Sequence, residues 1–284
     1  MVDADTFLLA LIGYPLGHTL SPRLHQAALA AAGLNGVYLA LPTPPEHLAD
    51  AVRGVRAWKL RGLNVTIPHK VAVIPLLDGL TARAERVGAV NTLYWEGDRL
   101  MGDNTDVAGV KALSAGLAVE GRRVIVLGAG GSARSVGVAL GELGAAEVVF
   151  LVRRPGAAQA LVSGLTEAFP ATRALEQPWE AAEELLPAAD LLFNTTPIGM
   201  EPNDADSPLT PDQVALLPGH AAVLDLIYRP AMTRLMRMAA ERGLVARNGL
   251  AMLVAQAQAA FERWTGRHVP LDVWERSLEG LAER

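Results

Sequence analysis

Residues able to move a proton gather at the end of one short apolar run, Leu63-Asn64-Val65-Thr66-Ile67, which Pro68, His69 and Lys70 follow. The two-residue period of a strand puts Asn64 and Thr66 on one face. Lys70, beyond the proline turn and beside an amide and a hydroxyl, could donate a proton to a carbonyl. Asp106 reads as the opening of a helix and, by itself, as its N-cap. Each residue also has a plain structural reading: Lys70 as a surface lysine, Ser21 as a helix cap, Thr19 as loop. His18 and His69 are not spaced as a metal pair, so no metal is assigned.

A second constellation is Gly128-Ala129-Gly130-Gly131-Ser132. The β-branched run Val124-Ile125-Val126-Leu127 precedes it and reads as a buried strand. Ala133, Val136, Leu140 and Leu143 follow at helical spacing. Strand, glycine turn and helix open a dinucleotide-binding unit, in which pyrophosphate approaches amide N–H groups at the helix N-terminus. Without the flanking elements the glycines would be only a tight turn. The next strand ends in Val152-Arg153-Arg154, where a cofactor with a free ribose 2′-hydroxyl usually meets Asp or Glu. Two guanidiniums suit a 2′-phosphate, hence NADP; otherwise they are solvated surface arginines.

These residues need elements to hold them. Phe7–Ile12 and Gly36–Leu41 read as strands, with a helix between them that Ser21 caps, Pro22 begins and Gly33 ends. Thr43-Pro44-Pro45-Glu46 reads as a capping box before a helix with its buried stripe at Leu48, Val52 and Val55. With the run at 63–67, this predicts a parallel α/β layer. Val71–Arg86 reads as mostly helical, with a break near Asp78-Gly79. Asn91–Trp95 and Arg99–Gly102 read as a hairpin turned at Glu96-Gly97-Asp98. A helix runs from about Asp106 to Leu113. Further strands are expected at Glu147–Val152, Ala189–Asn194 and Ala221–Leu226, the doubly wound pattern with ligand at the strands' carboxyl ends. Leu250–Trp264 reads as an apolar helix stopped by Gly266. Leu271–Leu281 reads as a last helix with Val273, Trp274, Leu278 and Leu281 on one side.

The chain has 284 residues, which predicts two domains. It is 51% hydrophobic and 19% charged, as in a soluble globular protein. A net charge of −5 argues against general nucleic-acid binding. With no cysteine, disulfides and thiolate metal sites are excluded. No run spans a bilayer and the N-terminus carries no export pattern, so a cytoplasmic protein without membrane partners is expected.

The segments GYPLGHTLSP, NVTIPHK, GAVNTLY, GDNTD, GAGGSA, NTTPIGM, DLIY and NGLAMLVAQA occur in that order. Together they resemble the shikimate dehydrogenase family, over about residues 8–266. NVTIPHK followed by GAVNT and GDNTD carries most of the specificity. The resemblance implies reduction of 3-dehydroshikimate by NADPH in aromatic amino-acid biosynthesis. It implies an α/β fold of two domains: a substrate domain at 1–110, a Rossmann-like NADP domain at 111–248, and helices at 249–284 returning to the first. Lys70 and Asp106 would be the catalytic pair. Thr19, Ser21, Thr66, Asn91, Tyr228 and Gln256 would hold the substrate. Gly128, Ala129, Gly130, Gly131 and Ser132 would hold the pyrophosphate, Arg153 with Arg154 the 2′-phosphate, and Leu226 and Gly249 would lie by the nicotinamide. The chain departs from the family in having Thr19 where a serine is common, and Val152-Arg153-Arg154 where Asn-Arg-Thr is common. A monomer or homodimer is expected. The rival readings are a quinate/shikimate dehydrogenase using NAD, a non-catalytic NADP-sensing module and, more distantly, a folate-linked dehydrogenase.

Overall fold

Continuous apolar runs form the strands and amphipathic stretches the helices, in a computed structural model that describes residues 2–17 and 19–279. Two units result, one from residues up to Thr105 with Val254 onward, the other from Asp106–Leu253. His18, set aside above as a ligand, and Leu281 lie outside the described residues.

In the first unit, β1 (Phe7–Gly13), α1 (Ser21–Ala31), β2 (Gly36–Pro42), α2 (Leu48–Ala57), β3 (Gly62–Val65) and α3 (His69–Ala72) come first. Next are β4 (Gly79–Leu80), α4 (Ala82–Val87), β5 (Thr92–Glu96) and β6 (Arg99–Asp103). They make a six-stranded sheet in the order β2-β1-β3-β5-β6-β4. β1 lies parallel to β2 and β3, as expected, and β5 and β6 pair antiparallel as the expected hairpin, with Gly97 at φ +61° in its turn. The stripe Leu48, Val52 and Val55 packs with Ala10, Ile12 and Leu63 in the core. Gly33 follows α1 at φ +63°, a left-handed stop.

Three local expectations are corrected and a fourth is refined. Ser21 is the first residue of α1 rather than its cap; Leu20 occupies the cap position and no side chain caps there. Thr43 does not form a capping box, because its hydroxyl turns back to the Leu41 carbonyl and α2 begins later, at Leu48. Val71–Arg86 is mostly helical as expected, in the end of α3, a 3₁₀ turn and α4, and the break expected near Asp78-Gly79 runs into β4, which pairs with β6. The strand at 63–67 ends at Val65, since Thr66 and Ile67 enter the proline turn.

The second unit holds α5 (Asp106–Leu113), β7 (Arg123–Leu127), α6 (Gly131–Glu142), β8 (Glu147–Val152), α7 (Gln159–Ala168) and β9 (Arg173–Pro178). It continues with α8 (Ala182–Leu185), β10 (Leu191–Asn194), α9 (Pro211–Ala215), β11 (Ala222–Asp225), α10 (Arg234–Glu241) and β12 (Val245–Arg247). Asp106 is thus the first helical residue of α5 rather than a residue ahead of it. The sheet is parallel throughout, in the order β12-β11-β10-β7-β8-β9. Counted from β7, this is the strand order of dinucleotide-binding sheets, and the order reverses between β7 and β10. β9 and β12 are additions to the strands expected from the sequence.

α11 (Leu250–Thr265) and α12 (Leu271–Arg276) complete the chain. From Val254 on they belong to the first unit. The Trp264 indole N–H donates to the Leu93 carbonyl at 2.8 Å, and its ring lies where a Cβ on Gly62 would stand. Arg61 reaches the Trp264 carbonyl at 3.1 Å. Trp274 and Phe261 meet edge to face at 5.7 Å, and His25 of α1 stacks on Tyr38 at 4.3 Å within the same cluster. Burial of each aromatic ring contributes roughly 2–3 kcal/mol. Among the described residues, no helix is long and apolar enough to cross a membrane.

Candidate functional site

Within the first unit, α1, β2, β3, α11 and the segments just before β5 and just after β6 bring polar side chains together in an apolar setting. Tyr38 on β2 donates its hydroxyl to Asn64 Oδ1 at 2.7 Å, and the Ser21 side chain also hydrogen-bonds Tyr38. Burial pushes the Tyr38 phenol well above its ordinary range, so it remains a neutral donor. Asn64 Nδ2 donates to the Asn91 carbonyl at 3.1 Å. Asn91 Oδ1 accepts the Thr105 N–H at 2.8 Å, and its Nδ2 donates to Thr105 Oγ1 at 2.9 Å and to Gln256 Oε1 at 3.5 Å. Thr19 Oγ1 donates to Ser21 Oγ at 3.3 Å. Asn91, Gln256, Ser21 and Thr19 are therefore tied to their neighbours by direct bonds, not left as scattered surface groups.

Lys70 stands buried on α3, one turn beyond the end of β3. Its own carbonyl accepts the Val90 N–H at 2.7 Å, and the neighbouring His69 Nε2 bonds the Thr43 carbonyl at 2.7 Å. Thr66 is half-buried at the end of β3, its N–H bonded to the Ile12 carbonyl at 2.9 Å. Burial removes the bland reading of Lys70 as a solvated lysine.

In the second unit the switch point carries the glycine loop. Gly128 adopts φ +104°, and a Cβ there would lie 3.0 Å from Thr195 Oγ1, itself bonded to the Leu127 carbonyl at 2.6 Å. Glycine is needed on both counts. Gly130 has open space where a side chain would be and precedes α6 with no side-chain cap, leaving the N–H groups of that helix end for an anion. Ser132 lies in the first turn of α6. Arg153 and Arg154 are exposed just past β8, and among the described residues no hydrogen bond or ion pair holds either guanidinium. These features fit a dinucleotide carrying a 2′-phosphate. Gly249 N–H bonds the Ile227 carbonyl at 3.0 Å, and a Cβ on Gly249 would overlap the Leu226 carbonyl. Tyr228, half-buried, follows that segment. Asp106, buried, begins α5 of this unit.

The sequence reading did not single out Tyr38, Thr105, Asn194, Asp225 or Glu176. Asp225 is fully buried at the end of β11 and accepts from Asn194 Nδ2 at 3.0 Å, the Ile227 N–H at 3.1 Å and Thr233 Oγ1 at 2.8 Å. Burial, opposed by those bonds, pushes its carboxyl up to about 6. It ties the ends of β10 and β11 to the start of α10. The signal available was an acidic residue ending an apolar strand run in DLIY. Among the described residues no group of acidic or histidine side chains is arranged to hold a metal ion.

Known proteins similar to this chain include shikimate dehydrogenases that match it along its length. The profile of the shikimate dehydrogenase substrate binding domain matches residues 11–93, and that of the shikimate 5′-dehydrogenase C-terminal domain matches 249–279. A shikimate dehydrogenase (NADP(+)) of Symbiobacterium thermophilum is 44% identical over 94% of this chain and 91% of its own. The chain belongs to the shikimate dehydrogenase family. The crystal structure of the Thermus thermophilus shikimate 5-dehydrogenase in complex with NADP(H) and shikimate superposes with a TM-score of 0.82 at 38% identity, covering 95% of this chain and 98% of that one. The Listeria monocytogenes shikimate 5-dehydrogenase in complex with shikimate and NAD gives 0.87 at 33% identity, covering 98% of each chain. Both units of this shikimate dehydrogenase family member therefore have counterparts in such structures, and the two-domain Rossmann-like fold expected from the motifs is the one found.

Proposed function

We propose that this chain is an NADP-dependent shikimate dehydrogenase that reduces 3-dehydroshikimate to shikimate. Full-length likeness to relatives bearing that name, across both units, carries the reading. Bound NADPH supplies the hydride that reduces the ketone. The chain's residues do the rest: Gly128, Ala129, Gly130, Gly131 and Ser132 hold the pyrophosphate, Arg153 and Arg154 the 2′-phosphate, and Leu226 and Gly249 lie by the nicotinamide. Thr19 and Ser21 bind the substrate carboxylate; Thr66, Asn91, Tyr228 and Gln256 bind its hydroxyls. Lys70 stabilises the negative charge that develops on the carbonyl oxygen and provides the proton. Asp106 orients Lys70 and the adjacent substrate hydroxyl. The first unit is the substrate domain and the second the NADP domain. The buried position of Lys70 supports its role, and the exposed, unpartnered arginines support NADP over NAD. We place the protein in the cytoplasm, acting on small molecules without nucleic-acid or membrane partners, as a monomer or homodimer.

Initial rates with shikimate and with quinate, each on NADP and on NAD, test this. The expected result is dominant turnover of shikimate with NADP. Equal or faster turnover of quinate with NAD would replace the reading with a quinate/shikimate dehydrogenase, and NADPH binding without turnover would replace it with a sensing module.

A further inference from the structure

The loop after β8 is held from the neighbouring strand by one carboxylate. Glu176 lies on edge strand β9, paired in register with Phe150 of β8. Its Oε1 accepts the Gly156 N–H at 2.5 Å and its Oε2 the Ala158 N–H at 2.6 Å. Gly156 adopts φ +80°, which aims its N–H at the carboxylate alongside that of Ala158. Ala158 caps α7, a ten-residue helix, so Glu176 fills the anion position at that helix start. The same turn closes on Arg154, whose carbonyl accepts the Ala157 N–H at 3.2 Å.

We propose that Glu176 is a positioning residue for NADP selectivity, clamping the 153–158 loop so that the Arg153 and Arg154 guanidiniums are poised for the 2′-phosphate. This rests on the assignment of those arginines made above. Two charge-assisted bonds to backbone fix the loop before ligand arrives, so little order is lost on binding. Glu176 already takes the Ala158 N–H at the start of α7, and its negative charge disfavours a second anion there, which leaves the phosphate to the arginine side chains.

The sign of the effect separates this from simple electrostatics. Removing a negative charge from a phosphate site should tighten binding if charge alone matters. Removing a clamp should loosen it. Calorimetric titration of the whole protein with adenosine 2′,5′-bisphosphate and with 5′-AMP reads this directly. For Glu176→Ala, affinity for the bisphosphate is expected to fall about tenfold, with 5′-AMP unmoved and the melting temperature modestly lowered while the fold is kept. Glu176→Gln, which keeps one acceptor, should recover part of the loss. Unchanged or tighter bisphosphate binding in Glu176→Ala overturns the proposal. Arg153→Ala/Arg154→Ala is the control. If that variant loses discrimination for the bisphosphate while Glu176→Ala does not, the clamp is wrong and the arginines stand. If neither moves it, the arginine assignment falls and the clamp with it.

Discussion

His25 is fully buried, and neither ring nitrogen has a hydrogen-bond partner among the described residues. Tyr38, Phe261, Trp264 and Trp274 surround it, and no charged group is among them. Burial pushes its pKa down to about 3. An unfolded histidine binds a proton near 6.5, so between about 3 and 6.5 the unfolded chain holds the extra proton and stability falls as pH falls. Asp225 works in the opposite sense: raised to about 6, it binds its proton more readily when folded, and its contribution is lost as pH rises through that value. Replacing His25 by Phe is expected to remove the acid penalty, so that the difference in unfolding free energy from the parent shifts by up to about 1.4 kcal/mol per pH unit below 6.5. Denaturant melts at pH 7.5 and 5 measure this, and a pH-independent difference would show that the imidazole is not held neutral. For Lys70→Ala, a fall in kcat of orders of magnitude with little change in KM is expected from the role proposed for it. Near-normal kcat would remove Lys70 as the proton donor.

At the scale of elements, runs of apolar β-branched residues were readable because a strand buried on both faces writes a continuous pattern. Val124–Leu127 and Glu147–Val152 are of this kind, and the helix over 250–265 was readable from its length and its apolar residues. β9 and β12 were not readable, because RALEQP and VAR at the two sheet edges bury one side weakly and carry charge. β4, with two residues, writes no pattern at all. The motifs around the proposed site were legible as a set, whereas Tyr38, Asp225 and Glu176 were not, since their roles come from partners distant in sequence. Gly249 shows what an element demands at one point. In Gly249→Ala the new methyl would meet the Leu226 carbonyl, forcing apart the start of α11 and the end of β11. The expected result is a loss of about 1–3 kcal/mol of stability with a raised KM for NADPH. A variant with unchanged melting and KM would show that the backbone yields there freely.

At the scale of the whole molecule, NADP is expected to stabilise the second unit by about 2.7 kcal/mol at a hundred times its Kd. Hydrogen exchange would show this as slowed amides within Asp106–Leu253. Protection confined to the first unit would reverse the proposed division of labour.

The first unit is assembled from both ends of the polypeptide, and this sets an order of events during translation. Gly62 and Leu93 leave the ribosome early, but Trp264, the ring that covers them, emerges only after the whole of the second unit. At the usual pace of synthesis that delay is on the order of ten seconds or more. The second unit, continuous in sequence, can finish folding in that interval, while the sheet of the first unit waits with an uncovered apolar surface that the later-made α11 and α12 close.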